Sequence, residues 1–309
     1  MLSVVDVHKQ FSGQKAVDSV SFSIQRGQIF GLLGPNGAGK TTILRMITGI
    51  FHPDQGQIHL HGNAFISERE QGLIGYMPEE RGLYKKMKIG EQLLFLGQLK
   101  GLSKKQATAN AKHWCEKLQM ESWWNKKMED LSKGMSQKLQ FVATVLHDPQ
   151  LIILDEPFSG LDPVNANLIK DEIFALSKQG ATIIFSTHRM EQVEEICDHI
   201  VLIHQGRKIL DGTVKQVRQD FKENLFRIGV SVIPEQLMTY LFEVKSFEPD
   251  QMLIRLTDGV STNEVLDYFI QRQVPIHSFV EVLPSLNDIF IRLVNPQEAT
   301  RSFNPSITA

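Results

Sequence analysis

An α/β fold wound around a phosphate-gripping turn, followed by a smaller α+β domain, is what this sequence predicts. Three observations carry the prediction. Gly34-Pro35-Asn36-Gly37-Ala38-Gly39-Lys40-Thr41 fits the pattern G-x-x-x-x-G-K-[ST]. Leu151-Ile152-Ile153-Leu154 is an unbroken apolar run, the kind expected of a parallel strand covered on both faces. At 217–223 the texture changes, and Arg218, Gln219, Asp220, Lys222 and Glu223 form a charged joint between two blocks of regular pattern.

The 309 residues allow one large domain or two of ordinary size, and 42% hydrophobic residues suffice for a substantial core. A formal net charge of −2 gives no global reason to expect nucleic acid or an anionic membrane surface as partner. No apolar run approaches the ~18 residues of a membrane span. The opening residues, Met1 to His8, read as a strand rather than a signal peptide. The two cysteines, Cys115 and Cys197, lie far apart and read as packed thiols rather than a disulfide scaffold.

In chain order, 3–8 and 20–25 read as strands. Phe11 lies between them, before Ser12-Gly13, and fits either a core position or a ring that stacks on a nucleotide base. The phosphate turn downstream favours stacking. Gln28 to Leu33 reads as a buried strand entering that turn, and Thr42 to Thr48 as the helix leaving it, stopped by Gly49. Residues 56–62 read as another strand. His52, His59 and His61 lack the carboxylate or cysteine spacing of a metal site, and a solvated strand face suits them better. Leu73 to Glu80 reads as a strand ended by Pro78. From Ile89 to about Leu146 the periodicity is helical. Ser103 and Ser132 are placed to cap helices. Trp114, Trp123 and Trp124 suit subdomain packing, and Lys85, Lys86, Lys88, Lys104 and Lys105 suit solvated faces. After Leu151–Leu154, a helix is expected from Ser159–Pro163 to about Lys178. Strands follow at 181–186, 201–203 and 208–210. Beyond the joint the expectation is strand 224–233, helix near 234–242, strands near 243–248 and 251–257, helix 261–272, strand 276–282 and helix 285–294. The tail, 295–309, is expected to be loose.

Cleaving a terminal phosphate needs a cradle, a metal, a base for water and donors for the developing charge. The glycines let backbone N–H groups converge on an anion, and the helix start adds partial positive charge. Lys40 is expected on the β- and γ-phosphates and Thr41 on Mg²⁺. Asp155 ends a buried strand and suits the metal. Glu156 beside it suits the general base. His188, at the end of a neighbouring parallel strand, suits the γ-phosphate or the attacking water, because open α/β sheets keep their sites at strand C-termini.

The ordered set Phe11, GPNGAGKT (34–41), LSKGM (131–135), LIILDEP (151–157), SGLD (159–162) and STH (186–188) resembles the nucleotide-binding subunit of ATP-binding-cassette (ABC) transporters over residues 1–216. The resemblance implies a P-loop NTPase of ABC type. Its parts would be a mixed sheet core, an antiparallel β part and a helical subdomain at about 82–148, with a small α+β C-terminal domain at 224–294. It implies that Phe11, Gly34, Pro35, Asn36, Gly37, Ala38, Gly39, Lys40, Thr41, Thr42, Glu79, Ser132, Gly134 and Asp162 meet the nucleotide. Thr41, Asp155 and Glu79 would hold Mg²⁺. It also implies ATP hydrolysis in a head-to-tail dimer with a second ATP-binding subunit. A separate membrane subunit would be the other partner, on the cytoplasmic face of the cell membrane, with no nucleic acid involved. Two departures stand out. Lys133 and Met135 replace the usual Gly and Gln of the signature. Glu79 replaces the usual Gln, which leaves Glu80 as the alternative contact. The run Pro78 to Tyr84 and the C-terminal LPSLNDIF (283–290) are similar to a branch of bacterial exporter ATPases serving sodium, peptide antibiotics and drugs. A cassette ATPase of DNA repair lacks support, since no long coiled coil interrupts 82–131. One of translation lacks it too, since there is one phosphate loop. A GTPase lacks it because Asn125-Lys126-Lys127-Met128 has no aspartate for the base-reading motif. For 224–309 a binding or dimer-clasping role is open.

Overall fold

The computed structural model describes residues 1–64, 72–80, 82–231, 237 and 239–294. It divides into two compact units, Met1–Val214 and Lys215–Ala309.

The first unit contains two sheets. Strands β1 (Leu2–Phe11), β2 (Gln14–Ile24), β4 (Gln55–Leu60) and β5 (Asn63–Ala64) form an antiparallel sheet in the order β2-β1-β4-β5. β1 runs longer than the sequence suggests. Register shifts along the β1–β2 pair, with Asp6 and Ser19 in left-handed conformations, interrupt the alternation by which a strand is read. β4 ends at Leu60, so His59 and His61 do not share a strand face; His61 turns out of the sheet at φ 54°.

Six strands form the second sheet: β3 (Ile29–Leu33), β6 (Ile74–Met77), β7 (Leu151–Asp155), β8 (Thr182–Thr187), β9 (His199–His204) and β10 (Arg207–Thr213), in the order β10-β9-β3-β8-β7-β6. All neighbours are parallel except β9 and β10. Every residue of β3, β7 and β8 is buried, which explains their unbroken apolar runs. Helix α1 (Lys40–Ile47) joins the two sheets in one core. Its Ile43, Leu44, Met46 and Ile47 are all 0% exposed and share a cluster with Val4, Val20 and Phe22 of one sheet and Phe30, Ile153 and Ile184 of the other. Each such side chain contributes about 1.5–3 kcal/mol of burial, so the start of α1 is fixed firmly.

The helical stretch resolves into α2 (Ile89–Leu99), α3 (Lys104–Lys117), two 3₁₀ turns at Glu121–Trp123 and Met128–Asp130, and α4 (Lys133–Val145). Ser103 caps α3 through a capping box with Gln106. Trp114 is buried edge-on against Phe141, and Trp124 lies where a side chain at Gly90 would stand. α5 spans Pro163–Lys178 and is capped by Asp162. Two helices have no counterpart in the sequence reading: α6 (Met190–Ile196), and α7 (Val214–Asp220), which occupies most of the expected joint 217–223. Both are two turns or less, too short for a helical period to register.

In the second unit, β11 (Leu225–Val230), β12 (Phe242–Glu248), β13 (Gln251–Leu256) and β14 (Ile276–Val282) make an antiparallel sheet ordered β12-β13-β11-β14. Helix α8 (Thr262–Gln271) packs Val265 and Phe269 on its Phe226, Ile228 and Ile254. α9 spans Leu286–Val294. Of the helix expected near 234–242, residues 234–236 and 238 lie outside the described residues, 237 and 239–241 are not helical, and Phe242 already belongs to β12. The tail 295–309 lies outside them altogether.

Candidate active site

Register assembles the site. Leu33 pairs with Thr187, and Asp155 with Ser186. The loop after β3 and the residues ending β7 and β8 therefore emerge side by side at one sheet edge. Two glycines of the loop are obligatory. A Cβ at Gly34 would stand 2.1 Å from the Ile203 carbonyl oxygen, and one at Gly39, at φ 108°, 2.4 Å from that of Ala16. Gly37 needs its φ of 77° but faces open space. α1 begins with no side-chain cap and no acid in its first turn, which leaves its leading N–H groups to an anion.

Lys40 is 7% exposed, and its Nζ donates to the carbonyls of Gly34 at 2.7 Å and Pro35 at 3.1 Å. Burial lowers its pKa, opposed by the charges of Glu156, Asp155 and Glu79. Asp155, 1% exposed, accepts hydrogen bonds from Ser186 Oγ at 2.8 Å and Thr41 Oγ1 at 3.1 Å. Burial nevertheless raises its pKa. A carboxylate short of solvation beside a hydroxyl is a natural cation ligand.

Glu156 sits in the left-handed region at φ 53°, a strained conformation for a residue with a side chain. The surroundings hold it there. Its N–H donates to the Ser186 carbonyl at 2.9 Å, and Gln137 Nε2 donates at 3.0 Å to the carbonyls of both Glu156 and Pro157. Thr187 Oγ1 donates to Glu156 Oε2 at 3.0 Å, and the His188 N–H to Oε1 at 2.9 Å. His188 Nδ1 lies 2.7 Å from the same Oε1. An ionised carboxylate only accepts, so this contact places the imidazole proton on Nδ1.

A cavity of about 310 Å³ is lined by Gly37, Gly39, Lys40, Thr42, Glu79, Asp155 and Glu156 among others. A second, of about 370 Å³, adjoins it through Ala16 and Gly37 and is walled by Phe11, Lys15, Gln205 and Gly206. Phe11 is 40% exposed and braced edge-on by Phe51 at 5.3 Å. Of the two candidate acids after Pro78, Glu79 lines the phosphate cavity and Glu80 does not.

A protein of Bacillus subtilis (strain 168), the uncharacterized ABC transporter ATP-binding protein YhaQ, is 41% identical over 304 residues, 95% of this chain and 98% of its own. The chain belongs to the ABC transporter ATP-binding proteins. The family described as ABC transporter matches residues 17–159, and the one described as ATP-binding protein DrrA1-3-like, C-terminal domain, matches 212–294. The Nod factor export ATP-binding protein I of Burkholderia pseudomallei is 32% identical over 302 residues, 93% of this chain and 94% of its own. Among solved structures, an ATP-binding subunit of an ABC transporter superposes with TM-score 0.67 at 31% identity, over 72% of this chain and 93% of its own. A dimeric cassette in a post-hydrolysis state with ADP and Pi shares the fold, with TM-score 0.64 at 19% identity over 69% of this chain and 98% of its own. The protein is thus an ABC ATPase.

Gly34, Pro35 and His188 line neither cavity but contact Lys40 or Glu156, which do, whereas Ser132, Gly134 and Asp162 stand apart. Ser132 caps α4, its Oγ accepting from the Met135 N–H at 3.2 Å. Asp162 caps α5, accepting from the Asn165 N–H at 3.0 Å. A Cβ at Gly134 would lie 3.1 Å from the Gly160 carbonyl oxygen, so the start of α4 abuts the loop before α5. The site also uses residues to which the sequence reading gave no role. Ser186 and Thr187 sit inside the STH motif, where alternation on β8 could have assigned one hydroxyl to each carboxylate. Nothing in the sequence marks Gln137, which reaches the backbone of Glu156 and Pro157 from α4.

Proposed function

We propose that this ABC ATPase uses Glu156 as general base on a water attacking the γ-phosphate of ATP, with His188 orienting the reacting groups. The observation that carries the reading is the threefold hold on a strained Glu156: Gln137 behind it, and Thr187 and His188 on its two oxygens. A base fixed in place needs little reorganisation to act. Lys40 and the open N–H groups of the loop balance phosphate charge, and Phe11 offers a face to the base. The oxygens of Thr41, Asp155 and Glu79 suit Mg²⁺, a hard cation that takes few protein ligands beside phosphate and water. Bound there, Mg²⁺ would neutralise phosphate charge and relieve the desolvated Asp155 carboxylate.

Ser132 and Gly134 lie outside the chain's own phosphate cavity, which supports a role on ATP held by a second ATP-binding subunit, with Asp162 at the same interface. No helix among the described residues is long and apolar enough to cross a membrane. The names of the relatives support work on a separate membrane subunit at the inner face, and one name includes export. A groove of about 1010 Å³ lies between α4 and the Tyr76–Pro78 segment rather than at the phosphate loop, and it is our seat for that subunit. Gln140 on its wall donates to the Pro78 carbonyl at 2.6 Å, next to Glu79. We assign the ATPase to 1–216, with its helical subdomain at about 82–148, and a dimer-clasping or sensing role to 224–294.

Glu156→Gln tests the base. It should keep ATP affinity and lose about 10²–10⁴ in hydrolysis rate. Hydrolysis at the parent rate overturns the assignment.

A further inference from the structure

We propose that Gln205, assisted by Gln14, reads the edge of the nucleotide base and makes the site select adenine over guanine. The inference rests on the nucleotide reading above and goes beyond it. Phe11 supplies only a ring face, and every base has a π-face, so stacking alone does not discriminate. Discrimination needs hydrogen-bonding groups on the wall of the base cavity. That wall carries Gln14, Lys15 and Gln205 besides Phe11, Ala16, Gly37 and Gly206.

Charge sorts these groups. Lys15 Nζ donates to Asp18 Oδ1 at 3.1 Å, and Arg207 beside the cavity donates to Asp18 Oδ2 through Nε at 3.0 Å and Nη2 at 2.7 Å. Asp18 thus occupies both cations, and its own pKa falls to about 2, with the Arg207 hydrogen bond as the largest cause. Cations are the natural partners of guanine, which presents two acceptors, O6 and N7. A carboxamide suits adenine, which presents an N6 donor beside an N7 acceptor. Neither the Gln14 nor the Gln205 carboxamide has a hydrogen-bond partner among the described residues.

Position favours Gln205. It holds a left-handed conformation at φ 49°, in the turn between β9 and β10. Gly206 ties that turn to the phosphate loop, its N–H donating to the Ala38 carbonyl at 2.9 Å, and to β2, its carbonyl accepting from the Asp18 N–H at 2.8 Å. A Cβ at Gly206 would lie 2.9 Å from the Ala16 carbonyl oxygen, so the turn has no room to slide. Gln205 is therefore held at a fixed offset from the phosphates.

The test is displacement of a fluorescent ATP analogue from the full chain, with Mg²⁺, by ATP, GTP and ITP. The parent should prefer ATP about tenfold, the lower end expected for one bidentate amide–adenine pair at an exposed edge. Gln205→Ala should bring the three nucleotides within about twofold, chiefly by weakening ATP. Asp18→Asn frees Lys15 and Arg207 and should shift preference toward GTP and ITP, the opposite cause with the same sign. Equal displacement by ATP and GTP in the parent overturns the proposal, as does a preference that survives Gln205→Ala combined with Gln14→Ala. Either result leaves the nucleotide reading standing. Failure of the analogue to bind the parent sinks that reading, and this proposal with it.

Discussion

Gln137→Met probes the support of Glu156, the proposed general base, without touching its side chain. Gln137 is 3% exposed, and its two N–H donations, both at 3.0 Å, hold the carbonyls of Glu156 and Pro157. Methionine keeps the volume and removes both donors. The Glu156 carbonyl retains the Ser159 N–H at 3.1 Å and loses one bond of two, about 1 kcal/mol net. For the Pro157 carbonyl, Gln137 is the hydrogen-bond donor described, and leaving it unsatisfied costs about 1–3 kcal/mol. The sum is about 2–4 kcal/mol. At about 2–4 °C per kcal/mol for a unit of this size, the melting midpoint should fall by about 4–16 °C. With its backbone released, Glu156 relaxes from φ 53°, and phosphate release should slow by about 10²-fold with ATP affinity little changed. Thermal unfolding by circular dichroism and steady-state phosphate release check the two halves. Gln137→Glu keeps size and shape, loses both donors and adds charge, so it should be worse than Met. A Met variant that melts and hydrolyses like the parent refutes the reasoning. So does a Glu variant milder than Met.

Other outcomes follow from the same geometry. Asp155→Asn should raise the melting midpoint at pH 7 in magnesium-free buffer. The folded-state pKa lies above the unfolded value, so stability falls as pH rises from that value through the folded one, and pH 7 lies above the unfolded value, where the penalty acts. The gain should vanish near pH 4, and a variant less stable than the parent at pH 7 contradicts the sign. Gly39→Ala should cost at least about 2 kcal/mol, because Ala is strained at this φ and its methyl meets the Ala16 carbonyl. Gly37→Ala should cost about 1–2 kcal/mol, since its methyl meets only open space, yet Gly37 borders the phosphate cavity, so ATP binding should weaken. Melting curves without nucleotide and binding titrations separate the two. Deleting 221–309 should alter oligomeric state or ATPase rate, measured by light scattering and phosphate release; no change in either leaves the clasping role unsupported.

Much was local in origin and could be read from the chain alone. The turn 34–41, the apolar run ending in Asp155-Glu156, the caps Ser103 and Ser132 and the strand at 181–186 each declare themselves within a few residues, because glycine conformation, burial and capping act over that range. Short helices such as Met190–Ile196 did not, and neither did the true length of β1, whose bulges break the period. The sequence placed Glu156 next to Asp155 at the end of a buried strand. It did not show that Glu156 is strained, that Gln137 braces it from another helix, or that Glu79 rather than Glu80 reaches the cavity. Nor did it show that Asp18 pairs with two cations, Lys15 and Arg207, beside the Phe11 cavity. Those are matters of register and of groups meeting from separate elements, from Gln137 and Glu156, 19 residues apart, to Asp18 and Arg207, 189 apart, and only the packed fold brings them within hydrogen-bonding distance.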